Sequence, residues 1–431
     1  MGALKIYLTP QSLRMLALGF SAGLPLLLVL GTLSFRLREA GISRATIGHL
    51  SWVGLAYGFK WLWAPLVDRF SIPLMGRMGR RRSWLLLAQM GVMTGLVGMA
   101  LSNPQESLQT VVWCALLVAF SSATQDIALD AFRIESADVS KQAALAASYQ
   151  TGYRLAMIWA GAGVLWIAAR AQVSGSSQYD ANAWRMAYAV MAGSMLVGVL
   201  TILFSQEPVQ NKAIVRVKNI GEWVKIALIS PFAEFISRHR WRAVLILALI
   251  ATYRISDIVM GIMANPFYVD MGYTKDEVAF VSKIYGVVMT LLGAFIGGAL
   301  TPKLGAGLKG VMRLMMLGAA LSALANLLFV WLVSRGHNVN ALIGVISADN
   351  LASGIASAAF IAYLSGLTSV EYTATQYALF SSLMLLLPKF LAGFSGEFVD
   401  AHGYAMFFTC TSLMSIPVLG LVWWVGRSER F

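Results

Sequence analysis

Charge is what this sequence has least of. Only 12% of its 431 residues are Asp, Glu, Lys or Arg, against about 25% in a soluble domain. With 58% hydrophobic residues and a mean hydropathy of +0.70, no water-soluble core could absorb the apolar excess. Cysteine is almost missing. Cys114 and Cys410 stand alone in separate apolar runs, which excludes a disulfide framework. Four histidines, none in a ligand-like cluster, give a metal enzyme no foothold, so no metal or cofactor is expected. Strand-period alternation is absent too, which argues against a β-barrel. What remains is an all-α integral membrane protein. The net charge of +13 would suggest nucleic acid on a soluble protein. Here Lys- and Arg-rich inner loops account for it, and no nucleic-acid partner is expected.

Long apolar runs are what the chain does have. Runs of spanning length fall near 13–35, 46–68, 83–101, 110–135, 143–169, 185–204, 242–268, 276–300, 310–334, 340–367, 373–397 and 403–426. These predict twelve transmembrane helices. The run from Met15 to Leu33 is longer than a signal-peptide core and reads as the first of them. Thirteen Trp, mostly near segment ends, fit an interfacial belt in membrane lipid. The longest polar stretch, 205–241, carries Pro208, Pro231 and an amphipathic pattern around Glu222–Phe235. It divides the chain into a six-helix bundle at 1–204, a cytoplasmic linker, and a second six-helix bundle at 242–431. Placing both termini inside puts most of the 33 Lys and Arg on the cytoplasmic face.

The halves also look alike. The stretch Arg38 to Val53 can be laid on Val269 to Ile284. Gly41 then meets Gly272, Arg44 meets Lys275, and Ser51 meets Ser282. In each half this piece joins the first helix to the second. A duplicated, pseudo-symmetric unit follows, with a solute site expected between the halves near the midplane.

Nine ionisable side chains sit inside the apolar runs: Lys60, Asp126, Asp130, Arg154, Arg254, Asp257, Lys283, Asp349 and Lys389. A charge at mid-membrane costs ~2.5–3.5 kcal/mol by insertion scales, so the set would cost on the order of 25 kcal/mol facing lipid. That exceeds the ~5–15 kcal/mol net stability of a domain. They must face one another, water or a ligand. A many-helix protein with a charged interior reads as a conduit for polar solutes.

Asp126 and Asp130 lie four apart on the fourth helix, hence on one face. Two carboxylates that close in apolar surroundings resist ionising together, an arrangement suited to proton coupling. A structural ion pair is the competing role for Asp126, and for Asp130 a part in an inner latch with Arg133 and Glu135. Lys60 and Arg154 reach a similar depth, so a cluster of Lys60, Asp126 and Arg154 is expected. Neutralising the acid would free a cation for a substrate carboxylate; a permanently satisfied network is the alternative. Arg254 and Asp257, three apart, can pair locally. Lys283, Asp349, Asn350 and Lys389 lie toward the outer half of their helices. Gln125, Tyr57 and Tyr153 complete the expected substrate contacts. Trp52, Tyr253 and Tyr363 could stack on sugar rings or serve as core. Pro25 and Pro388 are candidate kinks.

Between the second and third helices the chain reads Ala64-Pro-Leu-Val-Asp68-Arg69, then Gly79-Arg80-Arg81-Arg82. This resembles the inner-loop signature G-x-x-x-D-R-x-G-R-R of the major facilitator superfamily, with Ala64 in place of the first Gly and an insertion before the second part. The resemblance implies a gate built from Asp68, Arg69, Arg80, Arg81 and Arg82. A cluster that only sets orientation is the simpler role.

An ordered set of further pieces narrows the likeness: Gly19 to Pro25, Phe59-Lys60 to Arg69, Gln125-Asp126 to Asp130-Ala131, Gly152-Tyr153-Arg154, Ala374 to Leu379, and Ala401-His402-Gly403. In this order they resemble the AmpG muropeptide permease family, over nearly the whole chain. Some relatives carry extra C-terminal helices where this chain stops after its twelfth, which leaves its substrate range open. The resemblance implies a monomeric, proton-coupled symporter of the bacterial inner membrane. It would import anhydromuropeptides such as GlcNAc-1,6-anhydroMurNAc-peptides from periplasm to cytosol, in wall recycling and β-lactamase induction. Competing readings are the same fold with an acetyl-CoA-like, drug or siderophore cargo, a membrane enzyme, or a receptor with a transporter fold. The short loops and depth-spread charges disfavour an enzyme, whose groups should gather at one surface.

Overall fold

The computed structural model describes residues 9–69, 72, 78–136, 139–172, 179–208, 229–305, 307–367 and 373–428, and nearly all of them are helical. In the first half the α-helices are α1 (Pro10–Val29), α2 (Gly31–Glu39), α3 (Arg44–Leu50), α4 (Leu55–Phe59), α5 (Ala64–Arg69), α6 (Arg80–Leu101), α7 (Leu108–Glu135), α8 (Val139–Ile158), α9 (Val164–Ala171), α10 (Ala181–Ser194) and α11 (Leu196–Leu203). The second half contributes α12 (Ser230–His239), α13 (Arg242–Thr252), α14 (Ile255–Asp270), α15 (Lys275–Val278), α16 (Gly286–Leu304), α17 (Leu308–Arg335), α18 (Val339–Leu367), α19 (Thr373–Ala392), α20 (Ser395–Leu413) and α21 (Ser415–Ser428).

Ten helical stretches among the described residues are long and apolar enough to cross a membrane. They match ten of the twelve expected runs. The eleventh run is α19, whose apolar part is Leu379–Ala392. The second run differs from a single rod. It folds as α3, a 3-10 turn at Ser51–Gly54, α4, a second 3-10 turn at Lys60–Leu62, and α5. Three glycines weaken helix continuity there, and two of them permit close approach instead. A Cβ on Gly48 would sit 2.5 Å from the Gly393 carbonyl oxygen, and one on Gly58 would sit 2.7 Å from Leu386 Cδ2.

By contact the described residues form two compact units. The first comprises those within Met1–Ser43, Phe59–Ala213 and Thr274–Lys283; the second, those within Arg44–Gly58, Ile214–Tyr273 and Ile284–Phe431. Each unit therefore follows one half of the chain but takes in one short segment from the other half.

In the first unit, Thr9 caps α1 by accepting from Ser12 N at 3.3 Å, with Pro10 at the position where a missing N–H is harmless. α1 lies along α8. A Cβ on Gly19 would meet the Tyr149 carbonyl oxygen at 2.1 Å, and one on Gly152 would meet that of Leu16 at 2.0 Å. Apolar side chains gain little by leaving lipid tails, so such small-residue contacts carry helix association in membranes. Met15, Leu18, Leu85, Leu129, Phe132 and Ile202 fill the core behind. Arg36 is fully buried. It donates to Met99 O and Ser102 O, both at 2.6 Å, and to Tyr179 Oη at 3.3 Å. These carbonyls close the C-terminal end of α6, where a cation meets the negative end of the helix dipole.

The second unit repeats the principle. A Cβ on Gly293 of α16 would come 2.2 Å from Leu351 O, and one on Gly354 of α18 would come 2.1 Å from Thr290 O. Polar side chains tie α14, α17 and α20: Asn326 Nδ2 donates to Ser256 Oγ at 2.7 Å, and Ser256 Oγ to Thr411 O at 2.7 Å. Of the amphipathic pattern around Glu222–Phe235, residues 222–228 lie outside the described residues. Its end is α12, which docks on α19. Gln376 Nε2 donates to Glu234 Oε2 at 2.6 Å, Phe235 meets Phe380 edge-on at 5.0 Å, and Arg238 donates to Leu367 O.

Candidate functional site

The first unit brings Lys60 and Asp126 together. Lys60 opens the 3-10 turn Lys60–Leu62. Trp63 Nε1 donates to Thr124 Oγ1 at 3.1 Å, which fixes that turn against α7. Gln125 is fully buried, with Nε2 donating to Ser21 Oγ at 3.2 Å. This fixes the rotation of α7 and leaves its neighbour Asp126 aimed elsewhere. Lys60 Nζ stands 3.7 Å from Asp126 Oδ2, the two side chains 27% and 20% exposed. At that separation the attraction is about 4 kcal/mol at an effective dielectric of 20. A lone charge at mid-membrane costs a comparable ~3 kcal/mol, so neutralising either partner releases the other.

Asp130, one turn on, is 54% exposed and pairs with Arg133 Nη2 at 3.4 Å. Tyr149 and Tyr153, ring centroids 6.1 Å apart, lie near enough to Asp126 to feel its charge. Arg154 shares α8 with them but has no acid partner among the described residues. Of the expected three-member cluster, Lys60 and Asp126 form the ion pair.

In the second unit Arg254 occupies the break between α13 and α14, at φ −99° and ψ 12°. Its Nε is 3.0 Å from Asp257 Oδ2, yet that oxygen lies off the line of the N–H, as the i,i+3 spacing dictates. Nη1 donates to Ser357 Oγ at 2.5 Å and Nη2 to Ser353 Oγ at 3.3 Å. Asp349, Ser353 and Ser357 recur every fourth residue on α18, so they share one face. Asp349 feels the charges of Asp257 and Arg254. Asn350 instead serves the helix contact, accepting from Thr290 Oγ1 at 2.9 Å and donating to Ile346 O at 3.1 Å.

Lys389 is buried, with Nζ 5.8 Å from the centroid of the Tyr57 ring. Lys283 belongs to the first unit. It lies in a π-helical turn, Ala279–Tyr285, beside Gly161 of a second π-helical turn, Trp159–Gly163. Such turns recur where helices carry functional side chains. The proposed sugar platforms fare differently: Tyr253 stacks on Phe360 at 4.7 Å, Tyr363 is fully buried, and Trp52 stacks on Phe390 at 6.0 Å.

At the inner loop, the side chains of Asp68 and Arg69 lie outside the described residues. Arg81 pairs with Glu135 through Nη2 at 2.7 Å and Nε at 3.1 Å, with Arg80 Nη2 at 4.0 Å from the same carboxylate. Glu207 accepts from the backbone N–H of Arg81 at 2.7 Å and of Arg82 at 3.1 Å. An anion at a helix N-terminus meets its free donors and positive pole. Arg82 donates to Ile202 O at 3.1 Å and Leu203 O at 2.9 Å, closing α11. The sequence reading missed Glu207 in this arrangement. Its only signal was being the first acid after the sixth apolar run.

Comparison with known proteins follows the same lines. The family model described as acetyl-coenzyme A transporter 1 matches residues 11–159. A Rickettsia felis protein named "Putative transporter AmpG 4" is 33% identical over 423 residues, covering 98% of each chain. The anhydromuropeptide permease of Escherichia coli is 31% identical over 421 residues, covering 97% of this chain and 80% of the relative. Among solved structures, a bacterial homolog of the human lysosomal transporter Spinster superposes with a TM-score of 0.68 at 15% identity, covering 98% of this chain and 97% of that one. A D-xylose–proton symporter gives 0.70 at 14% identity, covering 96% of both. At such identities these two speak to fold alone.

Proposed function

The chain belongs to the AmpG anhydromuropeptide permease family of major facilitator transporters, and we propose that it imports anhydromuropeptides across the bacterial inner membrane together with protons. The observation that carries this reading is the mostly buried Lys60–Asp126 pair at 3.7 Å. A proton taken up by Asp126 removes the charge that holds Lys60, and Lys60 then meets a carboxylate of the cargo peptide. Asp130, whose side chain is more open, passes the proton from Asp126 to water on the inner side. Arg254, steadied by Ser353 and Ser357, offers a second cation, with Asp257 and Asp349 facing the cargo amine. Tyr57, Tyr153, Lys283 and Lys389 are further cargo contacts in this reading. An inward-negative potential favours proton entry by ~2.3 kcal/mol per charge per 100 mV.

Both termini lie in the cytosol in this reading, the chain works as a monomer, and its imported cargo serves wall recycling and the induction of β-lactamase. Arg81 and Glu135 act with the neighbouring arginines as the inner latch. A second reading, an acetyl-CoA-like cargo, is favoured by the family match over residues 11–159, which include Lys60, Asp126 and Arg154. Uptake of labelled GlcNAc-anhydroMurNAc-peptide into vesicles, with and without a protonophore, tests the proposal. Accumulation that collapses with the protonophore supports it. Accumulation indifferent to the protonophore rejects proton coupling, and uptake of acetyl-CoA in place of the muropeptide moves the cargo to the second reading.

A further inference from the structure

Within the first unit, α1 and α11 meet closely at one level and leave a groove at another. A Cβ on Gly198 of α11 would come 2.3 Å from Ser21 Oγ of α1. Ser21 Oγ also reaches Met195 Sδ at 3.8 Å, where α10 gives way to α11. Toward the start of α1 and the end of α11, a groove of about 340 Å³ opens between the two. Leu13, Arg14 and Ala17 form one wall, and Leu200, Thr201 and Phe204 form the other. Both trios follow the same i, i+1, i+4 spacing, so each is one side of its helix. Ala17 leaves room that a longer side chain would take.

The walls are apolar and open. Leu13, Leu200 and Phe204 are exposed, and both helices belong to stretches long and apolar enough to cross a membrane. Lipid, not water, is the medium on this face. The hydroxyls in the groove are already used: Thr201 Oγ1 donates to Val197 O at 2.6 Å, and Ser205 Oγ to Thr201 O at 2.5 Å. That leaves Arg14 as the lining side chain with N–H groups to offer. None of them has a partner among the described residues, and the charge that Arg14 feels is another cation, Arg82. Glu207, the acid of this corner, is taken up by the backbone N–H groups of Arg81 and Arg82. The groove thus joins an apolar surface to an unanswered positive charge.

We propose that this groove is a binding site for an anionic phospholipid. Its phosphate meets the Arg14 guanidinium, and the first methylenes of an acyl chain lie among Leu13, Leu200 and Phe204. The volume sits at the low end of the ~300–1,000 Å³ of ligand pockets. That is room for a headgroup and the start of a chain, with the rest of the lipid left in the bilayer. A guanidinium pairs a phosphate through two parallel N–H donors. A net negative headgroup also offsets the repulsion between Arg14 and Arg82. A zwitterionic headgroup brings its own cation and gains less. Basic pockets between membrane helices favour anionic lipids on the same grounds. The site depends on the membrane class of the chain and not on its cargo.

The test measures lipid retained by the full chain, purified in a neutral detergent, by mass spectrometry of the intact protein–lipid complex. Dioleoyl phosphatidylglycerol and dioleoyl phosphatidylcholine, which share their chains, are added at equal concentration. Retention of the first is expected to exceed that of the second by about tenfold, the range of one charge-assisted hydrogen bond. Arg14→Gln should abolish the preference. Arg335→Gln, at an exposed base on the last turn of α17, should leave it in place. Ala17→Leu fills the groove and should lower retention of phosphatidylglycerol with Arg14 still present. Thermal unfolding without added lipid separates lost binding from lost fold, and Ala17→Leu carries the test if Arg14→Gln does not fold. Equal retention of the two lipids by the native chain overturns the proposal. So does a preference that survives Arg14→Gln, or phosphatidylglycerol retention undiminished by Ala17→Leu. Displacement of the lipid by an equal concentration of inorganic phosphate overturns phospholipid as the occupant and makes the groove a site for the free anion.

Discussion

Lys60 and Asp126 stand 3.7 Å apart, beyond hydrogen-bond length but within Coulombic reach. They are held there by different devices: a 3-10 turn pinned through Trp63 to Thr124, and a helix whose rotation Gln125 fixes against Ser21. An ion pair this loosely closed has room for a proton or a cargo carboxylate to intervene. Asp126→Asn is therefore expected to abolish uphill accumulation while leaving folded protein in the membrane. Cargo exchange without a gradient should persist. Normal gradient-driven uptake by this variant would remove Asp126 from the coupling role.

Lys60→Met keeps much of the aliphatic stem and removes the charge. Binding of carboxylated cargo should weaken by about tenfold or more, the range of one charge-assisted hydrogen bond at ~1.5–3 kcal/mol. Titration of purified protein in detergent measures this. Unchanged affinity would place the cargo carboxylate elsewhere.

Glycine at positions 19 and 152 leaves no space between α1 and α8. Gly19→Ala and Gly152→Ala would each drive a methyl to about 2 Å from a carbonyl oxygen. Overpacking of this kind costs ~1–3 kcal/mol. Thermal unfolding in detergent should shift downward for both, whereas Gly193→Ala, with open space around it, should leave it in place.

Arg81→Ala leaves Glu135 without its two short contacts, in a place where Arg81 is nearly fully buried. Glu135 is itself 27% exposed and keeps Arg80 at 4.0 Å, so the cost falls below the ~3–5 kcal/mol of a fully buried pair. Glu207→Ala removes only the cap on α6, worth ~1 kcal/mol. Ranking the two by thermal unfolding tests whether the inner loop is held mainly by the ion pair or mainly by the cap.

His239, at the end of α12, sits 4.7 Å from Phe235. Burial first, and then the charges of Arg238 and Arg242 against that of Glu234, push its pKa below the ordinary 6.5. A lowered folded value means the neutral form is favoured by folding. The contribution is fully present above pH ~6.5 and is lost as pH falls through the folded value. Proteolysis within residues 209–242 should speed up on acidification, and His239→Gln should flatten that dependence.

Hydropathy is a property of consecutive residues, so the sequence by itself determined the membrane class, the runs of spanning length and the charges that lipid would not tolerate. The repeat, too, was legible in Gly41, Gly272, Arg44 and Lys275, because a left-handed turn needs glycine wherever it occurs. Pairing is different. Whether Asp126 meets Lys60 or Arg154 depends on how α7 and α8 are rotated, and only the tertiary structure decided that, through buried Gln125. It also turned Tyr253 and Tyr363 into core and Asn350 into a helix contact. Glu207 became a helix cap by its place beside α6, and Glu39 and Asp270 became partners of Lys275 and Arg44. A local pattern states which groups need a partner in a dry medium; which partner each one finds is fixed by contacts hundreds of residues apart along the chain.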